Sequence, residues 1–285
     1  MKDLKRHVIQ AAAAIAVNGN LRGFLKGGIW RGATKRLCVP GLNCYSCPGA
    51  LGACPIGSLQ AVLGGSVRGI PYYVTGIILL YGILFGRLIC GFLCPFGFVQ
   101  DLLYRIKAGK MRVPRGVDAP LRKAKYVILV VFVILLPLTA GSAYGAGIPW
   151  FCKFICPAGT LQAGLPLMAV NEDLRLATGV LFAFKLSVLA VVIIAAILIY
   201  RPFCKYLCPL GAIYGLLNRW SFYGMQVDKS RCVGCGACEK TCKMDVEVRK
   251  NVNSPECIRC GACKSVCPGG AIRSEFSCAK KIIRR

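Results

Sequence analysis

Nineteen cysteines in 285 residues are the side chains here that could do chemistry, and their spacing says which chemistry. Near the C-terminus, Cys232-x2-Cys235-x2-Cys238-x3-Cys242 is followed by Cys257-x2-Cys260-x2-Cys263-x3-Cys267-Pro268. Three thiolates at intervals of three can wrap one face of a four-iron cubane, and a fourth at a longer interval reaches the neighbouring cluster. The spacing therefore assigns Cys232, Cys235, Cys238 and Cys267 to one [4Fe-4S] cluster, and Cys257, Cys260, Cys263 and Cys242 to another. Gly234, Gly236 and Gly261 let the backbone turn tightly and direct N–H groups at sulfur. A structural zinc site would not need eight cysteines in this order. One departure is Lys243, which follows Cys242 where a proline follows Cys267; Cys278 is left over.

A second set of cysteines forms a repeat. Cys54-Pro-Ile-Gly57, Cys94-Pro-Phe-Gly97, Cys156-Pro-Ala-Gly159 and Cys208-Pro-Leu-Gly211 are related, and the first three continue to Gln60, Gln100 and Gln162. In the last three copies another cysteine stands four residues earlier, Cys90, Cys152 and Cys204. Such self-similarity shows one thiolate-bearing element used several times. Proline after each last cysteine suits the first turn of a helix, where its missing N–H costs nothing.

A Cys-x3-Cys pair supplies two ligands, and a four-iron cluster needs four. Cys90/Cys94 and Cys204/Cys208 would complete one cluster together. Arg87 and Arg201, each three residues ahead of such a pair, would offset its charge and raise its potential. Cys152/Cys156 could furnish a second cluster with two of Cys44, Cys47 and Cys54, which lie with Cys38 in an N-terminal group. Small buried apolar thiols, or disulfides in the N-terminal group, are the alternatives.

The elements that must position these thiols are apolar. The chain is 56% hydrophobic and 17% charged, with a mean hydropathy of +0.59, which points to a membrane protein. Expected spans run from Val8 to Leu21, from Gly69 to Gly86, from Tyr126 to Phe151 and from Leu176 to Tyr200, about 20 apolar residues being needed to cross. The first follows basic residues as a signal peptide would, but it lacks a convincing cleavage site and reads as a retained span. Pro157 to Val170 is short and suits a re-entrant or interfacial helix. Lys185 lies inside the fourth span; an intramembrane lysine is costly, and either serves as counter-ion to the outer cluster or as a proton or quinone contact, or snorkels.

The formal charge is +26. Four clusters at about −2 each would remove roughly eight of those charges, and the rest is explained by cytoplasmic loops without nucleic acid. Eight lysines and arginines between Arg105 and Lys125 put that loop and the C-terminal tail in the cytoplasm. Against this, Arg22, Lys26, Arg31, Lys35, Arg36 and Arg68 would then lie near the outer face. The single histidine, His7, excludes c-type and bis-histidine haem and a zinc-hydrolase triad, and is expected at the membrane interface.

Together, Gly86–Gly97, Arg201–Gly211 and the two C-terminal motifs resemble the NapH/MauN-like family of membrane-bound ferredoxins. The resemblance implies four transmembrane helices with both termini cytoplasmic, and electron transfer between the quinone pool or a soluble donor and a redox partner protein. The N-terminal cysteine group and the Cys152/Cys156 pair depart from that family, and no nitrate-reducing cofactor motif is present.

The expected fold is mainly α. Residues 1–221 form a four-helix transmembrane domain with re-entrant or short helices, and residues 222–285 a small α+β ferredoxin domain of the bacterial two-cluster type. The expected place is the inner (cytoplasmic) membrane, multi-pass, with the ferredoxin domain in the cytoplasm. No residue offers a general base or nucleophile, so the reading is a redox relay. A cluster-bearing assembly or sensor protein for a neighbouring metalloenzyme is the rival, and quinol oxidation confined to the inner face a third.

Overall fold

The structure, a computed structural model, describes residues 2–65, 71–139 and 147–276. Arg68, the start of the second expected span, part of the third, and Cys278 lie outside the described residues.

The chain is mainly helical, with one two-stranded sheet among the described residues. One described helix, Val180–Leu198, is long and apolar enough to cross a membrane. At 1.5 Å per residue it extends about 28 Å, close to the hydrocarbon thickness of a bilayer. Tyr72–Phe85 is equally apolar in character but has 14 residues, only about 21 Å. A helical run from Arg115 to Thr139 changes hydrogen-bonding pattern over Leu129–Leu135. Its first half is charged and packs against the Phe203–Leu207 turn. Pro157–Val170 is helical throughout, as three short segments.

The first expected span is instead the Lys2–Val17 helix, which packs on Leu88–Phe92 and Pro95–Leu103. It is amphipathic, so its polar groups face inward to polar partners. Gln10 Nε2 donates to Gly91 O at 2.9 Å and Asp101 Oδ2 at 3.1 Å. Arg6 lies 3.2 Å from Asp101 and donates to the Tyr200 hydroxyl at 3.1 Å. His7 is buried, paired with Gln10 at 3.0 Å, rather than at an interface.

At the other end, β1 (Tyr223–Val227) pairs antiparallel with β2 (Ile272–Phe276), Met225 opposite Ser274. The short helices Ala237–Thr241 and Ala262–Ser265 each begin at a glycine in the left-handed region, Gly236 and Gly261, a conformation open to glycine at no steric cost.

This unit is pressed onto the helical part. A Cβ on Gly91 would stand 2.5 Å from Ile258 O, so only glycine beside Cys90 permits the approach. Arg259, 2% exposed, donates to Phe85 O, Asn218 O and Ser221 Oγ at 2.9, 2.7 and 2.7 Å. Glu256 accepts from Arg87 Nη1 at 2.9 Å and from Lys125 Nζ. Both cations are fully buried.

Candidate metal centres

Two cavities in the C-terminal unit are each lined by four cysteines. One is bounded by Cys232, Cys235, Cys238 and Cys267, the other by Cys242, Cys257, Cys260 and Cys263. Local backbone geometry aims donors at these sulfurs: Val246 N donates to Cys242 Sγ at 3.4 Å and Ala271 N to Cys267 Sγ at 3.3 Å. Lys243 lies 5.6 Å from the Tyr200 ring centroid and 6.0 Å from that of Tyr104. Its side chain thus covers the second cavity's rim where the helical part meets it. Around the first cavity Val233 is 70% exposed, and hydrogen bonds from Arg249 hold the Glu239 carboxyl below its usual range.

The Cys-Pro repeats share one local structure. In three of them the last cysteine's N–H closes a wide turn onto the residue five back: Cys94 to Ile89 O at 3.1 Å, Cys156 to Phe151 O and Cys208 to Phe203 O, both at 2.9 Å. Wide turns of this type mark functional sites in helices. Each Cys-Pro cysteine then caps a new helix whose first residue is the proline. At Cys208 the sulfur accepts the Gly211 N–H, three residues on, at 3.3 Å; Gly57, Gly97 and Gly159 hold the same position in the other copies. A helix N-terminus favours negative charge, so each turn is suited to a thiolate.

The repeats pair. Cys90, Cys94, Cys204 and Cys208 are electrostatic neighbours, all buried. Gln100 ties the two halves: its Nε2 donates to Cys204 Sγ at 3.1 Å while its Oε1 accepts from Phe203 N at 3.2 Å. Arg87 Nη2 donates to Cys204 O at 2.8 Å, and Arg201 Nη1 to Cys90 O at 2.5 Å. Each arginine thus reaches the other half's first cysteine. Both are 0% exposed and paired, Arg87 with Glu256 and Arg201 with Asp101 at 2.6 Å. The glycine of the motif makes room for them. A Cβ on Gly97 would lie 3.0 Å from Cys90 O and 3.3 Å from Arg201 Nη1; on Gly211, 3.2 Å from Cys204 O and 3.3 Å from Arg87 Nη2.

The other pairing follows the same plan. Gln60 Nε2 donates to Cys152 Sγ at 3.3 Å and its Oε1 accepts from Phe151 N at 3.0 Å. Gln162 Oε1 accepts from Cys44 N at 2.8 Å. Cys44, Cys54, Cys152 and Cys156 are electrostatic neighbours. Cys44 is also within reach of Lys185 and Lys35, and Lys35 Nζ is fixed by Ala50 O at 2.7 Å. Cys47, the other sequence candidate, donates its S–H to Asn18 Oδ1 at 3.7 Å and has Cys44 among its neighbours. Cys38 is buried. No disulfide joins the described cysteines.

These groups fit four-iron clusters. Four thiols neighbour one another at each place, backbone or amide N–H groups point at several of the sulfurs, and at Cys90, Cys94, Cys204 and Cys208 two buried arginines stand beside them. Among the described residues no three ligands close on a single metal ion. Sequence reasoning did not assign roles to Gln60, Gln100, Gln162, Asp101 or Glu256. The shared glutamine six residues after each Cys-Pro cysteine was the visible signal for the first three.

The geometry defines a ferredoxin-type protein, and comparison with known proteins gives the particular family. Residues 72–114, 126–168 and 181–221 match the 4Fe-4S binding domain family, and residues 224–268 the 4Fe-4S dicluster domain family. The methylamine utilization ferredoxin-type protein MauN of Paracoccus denitrificans is 30% identical, the match covering 84% of this chain and 74% of MauN. The ferredoxin-type protein NapH of Escherichia coli K12 is 24% identical over 66% of this chain and 59% of its own length. A Methanocaldococcus jannaschii protein is 29% identical over 63% of this chain; there the chain spans about 61% of the relative's length. No solved structure matches. The chain belongs to the NapH/MauN-like 4Fe-4S ferredoxin family.

Proposed function

We propose that the chain is a membrane-bound conduit carrying single electrons through four [4Fe-4S] clusters in series. Iron–sulfur electron transfer is the common ground of its relatives; the series belongs to this chain. Cys232, Cys235, Cys238 and Cys267 hold the exposed entry cluster, and Cys242, Cys257, Cys260 and Cys263 the next. Cys90, Cys94, Cys204 and Cys208 hold an inner membrane cluster, and Cys44, Cys54, Cys152 and Cys156 an outer one.

The observation that carries this reading is the segment Gly41–Cys44. A Cβ on Gly41 would lie 2.9 Å from Cys94 Cα and 3.2 Å from Leu93 O, and Cys44, three residues on, is itself a ligand of the outer group, its N–H donating to Gln162 Oε1 at 2.8 Å. The segment's neighbour Pro40 accepts from the Tyr214 hydroxyl at 2.9 Å. A stretch of a few residues therefore touches both membrane centres. The ferredoxin unit touches the inner one through Gly91 and Ile258.

Iron and sulfide supply reversible one-electron chemistry when bound; the protein's residues hold, insulate and tune them. Gln60 and Gln100 orient one cysteine of each pair, and Arg87 and Arg201 stabilise added negative charge at the inner centre. Lys185 does so at the outer centre. In the membrane the chain crosses four times, with Val180–Leu198 the full-length span and the shorter helices completing a bundle. The ferredoxin unit faces the cytoplasm, where a soluble redox protein meets it, and the outer cluster exchanges electrons with quinone or an external protein.

Proteoliposomes test this. With an oxidant trapped inside and a reductant outside, the protein should carry electrons across, and Cys152→Ser/Cys156→Ser should abolish that traffic. Equal rates with the double variant would favour quinol chemistry confined to the inner face.

A further inference from the structure

Buried polar atoms are nearly always paired, and an orphan is costly. Arginine Nε atoms aside, the buried side-chain polar atoms that lack a hydrogen-bond partner among the described residues are Asn43 Nδ2 and Oδ1, Trp150 Nε1 and Thr160 Oγ1. All three residues sit on segments that carry the outer cysteines. Asn43 adjoins Cys44, Trp150 stands two residues before Cys152, and Thr160 follows Cys156 by four. Asn43 and Thr160 are 0% and 1% exposed. Thr160 is next to Gly159, whose Cβ position lies 3.8 Å from Cys44 Sγ. The repeat's own amide is bonded at both ends at either centre, Gln60 as well as Gln100, so the orphans are further groups beside the outer cysteines.

The donors among these orphans, Asn43 Nδ2, Trp150 Nε1 and Thr160 Oγ1, in a chain that pairs its other buried amides, mark a missing acceptor. Water would fill such a gap at a surface, but these groups lie among buried residues around four thiols. We propose that the Asn43 amide, the Thr160 hydroxyl and the Trp150 indole N–H donate hydrogen bonds to the sulfurs of the cluster held by Cys44, Cys54, Cys152 and Cys156. The inference rests on the reading of that group as a cluster. Reduction adds negative charge to a cluster, so donors at its sulfurs stabilise the reduced form and raise its potential. The chain thereby adds neutral donors to the charge of Lys185 at the outer centre, where the inner centre uses paired arginines.

The test is an EPR-monitored redox titration of the full-length membrane protein, with iron counted in each sample. Asn43→Leu and Thr160→Val each remove a donor at nearly constant volume, and Trp150→Phe removes the indole N–H. Each should lower the reduced-to-oxidised ratio of one cluster about tenfold at fixed potential, about 59 mV for one electron, with iron retained and the other three clusters unmoved. If Asn43→Leu loses iron, Thr160→Val, the smaller change, decides. An unshifted outer potential with full iron content overturns the inference and leaves the conduit standing. A wild-type protein holding only about twelve iron atoms overturns the outer cluster itself.

Discussion

Removing the Glu256 carboxylate should undock the ferredoxin unit from the helical part. Glu256 is 5% exposed and neutralises two cations, Arg87 and Lys125, which are both 0% exposed. Burial alone would raise its pKa, but Arg87 and then Lys125 outweigh it and hold the carboxyl below its ordinary range. Glu256→Gln keeps the shape and leaves two buried cations facing a neutral amide. Breaking a buried pair from one side costs about 3–5 kcal/mol. At about 1.4 kcal/mol per factor of ten, the open state should become more populated by roughly two to three and a half orders of magnitude. Hydrogen exchange reads this directly, at the amides of 86–92 and 214–222, which the Pro255–Arg259 segment covers. Those amides should lose protection while β1 and β2 keep theirs and the iron content holds. A double variant, Glu256→Gln with Arg87→Met, removes one of the stranded cations and should recover part of the protection. The same contact should weaken in acid. A depressed folded-state pKa gives stability that is full above the unfolded value of about 4.3 and is lost as pH falls through the folded value. A change below about 1 kcal/mol in Glu256→Gln, the worth of an exposed ion pair, would refute the reasoning.

The motif glycines should not be equivalent. Gly97→Ala, whose methyl would meet Cys90 O at 3.0 Å, should cost about 1–3 kcal/mol, whereas Gly57→Ala, with 3.9 Å to Cys152 Sγ, should cost less; thermal melts compare them. Gln100→Leu removes a donor to Cys204 and should lower the inner cluster's potential by on the order of 40 mV, about 1 kcal/mol, read by redox titration. Cys44→Ser should cost the protein about four iron atoms and Cys47→Ser none, measured by iron analysis after anaerobic purification.

The ferredoxin cysteine groups stand out in the sequence because three cysteines of each four have only two residues between neighbours, and each cavity is lined by such a three with the more distant Cys267 or Cys242. The Cys-Pro turns were legible for the same reason. The choice among Cys44, Cys47 and Cys54 was not, because it is made at long range: Gln162, 118 residues away, binds the Cys44 N–H. The expected spans were read from apolar runs, and the fourth contains Val180–Leu198, apolar and long enough to cross. Lys2–Val17 turns Arg6 and Gln10 inward because Asp101, far along the sequence, receives them. Tyr72–Phe85 ends where the second expected span ends, because Gly86 takes a positive φ of 54° and feeds the first Cys-x3-Cys turn. Likewise nothing in its local sequence singles out Glu256, whose partners lie 131 and 169 residues away.

Iron and acid-labile sulfide per chain, measured on the anaerobically purified full-length protein, test the central claim most directly. Four clusters require about sixteen iron atoms, falling to about twelve in Cys152→Ser/Cys156→Ser and to about twelve in Cys204→Ser/Cys208→Ser. About eight iron atoms, unchanged in both double variants, would confine the clusters to the ferredoxin unit and contradict the conduit.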